Sequence, residues 1–132
     1  MNRPVVILIR LLPVLLLAAA AIAYVFHVQG ADAWPVRNAI PMLLTVALAT
    51  RTLVRGDGQW TGAGWQWPLG TLGFALPAVG LSLYLHWGYS VDLDGMYSDS
   101  VYPKEVFRYL PAYTLVAGGI GFAIGWIAGR NV

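Results

Sequence analysis

The chain has 132 residues, of which 58% are hydrophobic and only 11% charged, against about 25% charged in an average soluble domain. It contains no cysteine, which excludes disulfides, thiolate zinc sites, iron–sulfur clusters and a thiol nucleophile. The net charge of +2 comes from eight Lys and Arg scattered singly near segment ends; they form no basic face, so no nucleic-acid partner is expected and the cations read as membrane anchors.

Four apolar segments lie at roughly residues 4–26, 36–54, 65–87 and 108–128. Each supplies about the 20 helical residues that a hydrocarbon core of ~30 Å requires. They leave no room for a soluble domain, so the expected fold is all-α: a single membrane domain over residues 1–132, built as a four-transmembrane-helix bundle.

The first segment combines Arg3, an apolar stretch and the small-residue pattern Ala21-Ile22-Ala23, features shared with a secretory signal. Its apolar stretch exceeds the usual h-region of about 7–15 residues and contains Arg10, so a retained helix is expected. Pro13 falls inside it and should kink it. The second segment opens with Arg37, Pro41 and Thr45 and closes near Arg51. The glycine-rich connection from Gly56 to Gly64 lacks the Gly-Lys-Ser/Thr that would hold a phosphate.

In the third segment Pro77 is internal, whereas Pro41, Pro68 and Pro111 fall in the first residues of their segments, where the cost is low. Ser82 and His86 are one helical turn apart, the spacing of a Ser–His pair. Gly80-Leu81-Ser82-Leu83 lacks the second glycine of a nucleophile elbow, and neither an acid nor an oxyanion donor accompanies it. No catalytic residue is therefore assigned, and the Ser82 hydroxyl is expected to bond its own helix backbone.

The connection at about 88–107 holds the chain's acid cluster, with Asp92, Asp94 and Asp99. Asp92-Leu93-Asp94-Gly95 echoes a calcium loop, but with Gly95 at the glycine position the first ligand position holds Ser90 and the last holds Val101 instead of a bidentate Glu. No metal site is assigned. A solvated turn, or a partner-docking loop with Tyr89, Tyr97 and Tyr102, is the expectation. Pro103 and Glu105 suit a helix start, so the fourth helix is expected from as early as 103.

That helix carries the strongest local motif. Ala117, Gly121, Gly125 and Gly129 recur every four residues, leaving a flat strip where another backbone approaches closely. Gly118 lies off this strip. The Ala18–Ala21 run of the first helix is one candidate partner; a second copy, or a larger membrane subunit, is the other.

Two patterns span the chain. The first and third segments end in Tyr24-Val25-Phe26-His27 and Tyr84-Leu85-His86, and the second and fourth open with Arg37, Pro41, Thr45 and Arg108, Pro111, Thr114. This is the pattern of two tandem helical hairpins, and equally one that a small apolar alphabet yields when gaps are allowed. The chain's two histidines, His27 and His86, sit at the same ends of alternate helices. Two such imidazoles could ligate a haem, but a histidine at a lipid interface usually turns its ring to water, so no cofactor is assigned.

With both termini cytoplasmic, Arg3, Arg10, Arg51, Arg55 and Arg130 lie inside and Arg37, Lys104 and Arg108 outside, a bias of five to three in favour of that orientation. The expected function is a non-enzymatic accessory or assembly subunit of a larger bacterial inner-membrane complex, partnered by the lipid bilayer and by other membrane subunits or itself. A small oligomeric transporter or flippase is the alternative. Against it stands the absence of Asp or Glu within a span, because ion-coupled carriers usually keep an intramembrane ionisable group. A bis-histidine haem electron carrier is the further alternative.

Overall fold

The computed structural model describes residues 2–29, 35–91 and 109–131. Within them lie four helices, α1 (Arg3–Gln29), α2 (Pro35–Arg55), α3 (Gln66–Ser90) and α4 (Leu110–Arg130). Three of these, α1, α3 and α4, are long and apolar enough to cross a membrane. The 21 residues of α2 include Arg37, Arg51 and Arg55 and fall outside that set on composition. The acid cluster of Asp92, Asp94 and Asp99, and the helix start near 103, lie outside the described residues.

Pro13 and Pro77 sit inside α1 and α3 without ending either helix. Pro41 corrects the expectation for it: α2 begins at Pro35, so Pro41 is internal. The Pro41 carbonyl accepts a hydrogen bond of 2.8 Å from Thr45 Oγ1. Pro68 and Pro111 do fall in the first turns of α3 and α4.

The end of α2 is set by backbone hydrogen bonds. Gly58 N donates to Leu53 O at 2.8 Å and Asp57 N to Val54 O at 3.3 Å, the paired 6→1 and 5→2 bonds of a Schellman motif. The residue that must turn left-handed is Asp57, at φ 55°, an acid that tolerates this region better than most non-glycine residues. The following loop is packed so tightly that a Cβ on Gly56 would meet Gln59 O, and one on Gly62 would meet Gly56 O. At Gly56 and Gly62 glycine is thus a packing requirement, while Gly58 and Gly64 take positive φ of 91° and 95°.

The bundle is centred on the antiparallel pair of α3 and α4, which touch far more extensively than any other two helices. A Cβ on Gly121 would coincide with the Gly73 carbonyl oxygen, and one on Gly73 with the Gly121 carbonyl oxygen. The same holds for Gly125 against Leu69 O and for Gly129 against the Gln66 backbone. Pro77, four residues after Gly73, has no N–H to give the Gly73 carbonyl. That freed oxygen faces the Gly121 α-carbon instead, where a Cα–H···O contact is available. The Pro77 ring packs on Gly121 from the same side.

Two sequence expectations change here. The helix against the α4 strip is α3, with the Ala18–Ala21 run of α1 elsewhere. Gly118, expected off the strip, is buried in it against Phe74 and Ala78, whereas Gly119 faces open space. Helical geometry gives the reason. Steps of four residues overshoot a full turn by about 40° each, so a face is held by alternating fours and threes. Thr114, Gly118, Gly121 and Gly125 follow that rhythm, and Ala117 sits at the strip's half-buried margin.

α1 and α2 complete the bundle through small apolar clusters, Leu11 with Ala49 and Leu53 at one end and Ala21 with Val25 and Met42 at the other. Between α2 and α3 the hydroxyls of Thr52 and Thr71 meet at 3.0 Å, both residues being buried. The start of α1, the α2–α3 connection and the end of α4 share one end of the bundle. Arg3 pairs with Asp57 at 3.0 Å, Arg10 Nη1 donates to Gly58 O at 2.6 Å, and Gly129 lies on Gln66. Arg3, Arg10, Arg51, Arg55 and Arg130 therefore gather at that end.

The seam makes a sharp prediction. Gly121→Ala drives a methyl group into a carbonyl oxygen and should destabilise the protein by about 1–3 kcal/mol. Gly119→Ala enters open space and should be neutral or slightly stabilising, because alanine is the better helix former. Thermal melting of the two variants in detergent measures the difference; equal melting temperatures would mean that α3 and α4 do not approach at Gly73 and Gly121.

Candidate functional site

Three places concentrate chemistry or space. The first is an aromatic junction at the arginine-rich end. Trp67 of α3 stands edge-on to Phe122 and Trp126 of α4, with ring centroids 6.2 and 5.3 Å away, and those two rings stack at 5.7 Å. The guanidinium carbons of Arg51 and Arg55 lie 6.0 and 5.6 Å from the Trp67 ring centroid, within cation–π range. Trp67 thus ties the charged end of α2 to both α3 and α4.

The second is a polar pair inside α3. Ser82 and His86 are both fully buried. His86 Nδ1 lies 2.7 Å from the Ser82 carbonyl oxygen; a carbonyl only accepts, so Nδ1 carries the proton and donates. The expectation of a water-facing His86 is corrected. α3 continues to Ser90, which sets His86 more than a turn inside the helix instead of at its end. His27, its counterpart in the hairpin pattern, is exposed, so the two imidazoles occupy unlike environments.

Ser82 reverses its expectation too, since its Oγ is buried without a hydrogen-bond partner among the described residues. The Ser82 carbonyl is the acceptor for His86, and the hydroxyl itself meets no acceptor. Nothing in the sequence distinguishes this from the back-bonded threonines: Thr114 Oγ1 donates to Leu110 O at 2.9 Å and Thr52 Oγ1 to Leu48 O at 2.8 Å.

The third is a groove of about 550 Å³ between α1, α2 and α3. Val14 and Leu17 form one wall, Met42 and Ala49 the floor, and Leu72 and Val79 the other wall, with Trp60 of the α2–α3 connection at one end. Its two hydroxyls are already engaged. Thr45 Oγ1 donates to Pro41 O, and Thr71 Oγ1 is bonded to Thr52 Oγ1. The lining therefore offers hydrocarbon contact with both hydroxyls satisfied, and the Trp60 indole stands at one end.

Among the described residues no three His, Asp or Glu side chains come together in a way that could hold a metal ion. Comparison with protein-family models, with curated proteins and with solved structures found no match.

A buried hydroxyl without a partner costs free energy that alanine does not. Ser82→Ala should thus leave the melting temperature unchanged or raise it, by the equivalent of up to about 1 kcal/mol. Thr52→Val removes one half of a satisfied buried pair and should lower stability by about 1–2 kcal/mol. Thermal melts in detergent decide both; destabilisation by Ser82→Ala would reveal a bonded hydroxyl.

Proposed function

We propose that this chain is a small integral membrane protein that crosses a bacterial inner membrane four times with both termini in the cytoplasm, and that it serves as a non-enzymatic accessory or assembly subunit of a larger membrane complex. The observation that carries the reading is the apolar outer surface. Leu16 and Leu17 of α1 are 69% and 72% exposed, and Val116, Ile120 and Ile124 of α4 are 64%, 59% and 64% exposed. Soluble monomers rarely present contiguous apolar faces on this scale, whereas lipid or a partner helix covers them at no cost.

Support for α2 as a fourth span comes from length and placement. Its 21 residues make about 31 Å of helix, matching a core of about 30 Å. Arg51 and Arg55 lie in its last turn and a half, next to Trp67 at the bundle end where an interface would fall. The gathering of five arginines at that end supports placing it in the cytoplasm. Because the small-residue strip of α4 is taken up by α3, a partner subunit would meet the outer faces of α1 and α4.

The second reading, a small oligomeric transporter or flippase, is favoured by the groove, whose apolar lining suits a lipid chain.

Two measurements test these readings. Cysteine at Ser98 should label with an impermeant thiol reagent in intact cells or spheroplasts, while cysteine at the exposed Thr61 should not; the reverse pattern inverts the orientation. Extraction in mild detergent should bring down a larger membrane protein in a fixed ratio. A chain that purifies only with copies of itself speaks for the transporter reading over the accessory subunit.

A further inference from the structure

A guanidinium stands beyond one end of the groove. Along α1 its wall of Val14 and Leu17 continues, one turn toward the arginine-rich end, to Arg10, because residues four apart share a helix face. Arg10 is exposed and commits Nη1 to Gly58 O at 2.6 Å, a bond that fixes the guanidinium beside the loop that carries Trp60. One of its five N–H donors is used by that bond. Asp57, the acid of this loop, faces Arg3 at 3.0 Å.

We infer that the groove holds one acyl chain of an anionic phospholipid, with the lipid phosphate at Arg10; this rests on the membrane reading above. Dimensions admit the occupant: from Pro68 to Leu83, both lining the groove, α3 rises about 22 Å, room for a chain that spans about half of a ~30 Å core. Chemistry agrees, since the lining hydroxyls are engaged and a charge-assisted guanidinium–phosphate contact is available at the Arg10 end.

Gly80 provides the test. It lines the groove, and a Cβ built on it meets nothing within 4 Å, so Gly80→Leu fills the space without a clash. Purified full-length protein, delipidated in detergent, is titrated with phosphatidylglycerol, phosphatidylcholine or inorganic phosphate and read by native mass spectrometry. The expected result is saturation at one phosphatidylglycerol per chain, phosphatidylcholine bound about tenfold more weakly, and no retained inorganic phosphate. Gly80→Leu should abolish the single bound lipid while the delipidated variant melts like the parent, and Ala75→Leu, on the same wall, gives a second filling variant should the first fail to fold. Arg10→Gln should keep lipid but lose the preference between headgroups.

Unsaturated binding of several lipids, as in an annular shell, overturns the inference, as does a single lipid indifferent to both filling variants. Retention of inorganic phosphate without lipid would mean an anion site unconnected to the groove, and also overturns it. Failure of the membrane reading looks different, because the protein would then leave membranes on alkaline carbonate extraction.

Discussion

The rest of the structure depends on the exchange of backbone between α3 and α4 at Gly73 and Gly121, where each glycine occupies the space that a side chain on the other would need. In a bilayer no hydrophobic force draws two apolar helices together, and close backbone packing is the principal substitute. Pro77 contributes to it by removing the hydrogen bond that would have occupied the Gly73 carbonyl. A residue usually regarded as helix-breaking thus supplies the acceptor for an interhelical contact. Around this locked pair α2 is held by the Thr52–Thr71 hydrogen bond and the Trp67 junction, and α1 packs through small apolar clusters and its arginine contacts at one end.

Charge organises one end of the bundle as packing organises its centre. The exposed Arg3–Asp57 pair adds little by itself, because water screens both partners. Arg10 differs, since its target is a backbone oxygen in a loop whose shape is already set by the helix cap at Asp57 and Gly58. The cap, the loop and α1 are thereby joined through a single guanidinium, held beyond one end of the groove.

Helix number and approximate limits were legible in the sequence, because apolar length is a local property. The identity of the partner helix was not: small residues on α1 and α3 look alike until the bundle is assembled, and the strip's true phase depends on alternating steps of four and three that a strict repeat of four obscures. His86 was misjudged for a related reason. Its distance from the helix end depends on where α3 stops, and helix ends are the least determined feature of a sequence. The unpartnered Ser82 hydroxyl and the groove carried no sequence signal, since each is defined by what other helices leave uncovered.

The uneven grip on the four helices has a consequence for biogenesis. The tightest contact among the described residues joins α3 and α4, which are made after α1 and α2, so during synthesis α1 and α2 exist for a time without the pair they pack against. In the two-stage picture of membrane protein folding, helices insert individually before they associate. If the chain inserts as proposed, the first hairpin persists without its α3–α4 partner until α4 arrives, and a chain shortened within α4 keeps its apolar segments yet loses the contact that makes them a bundle.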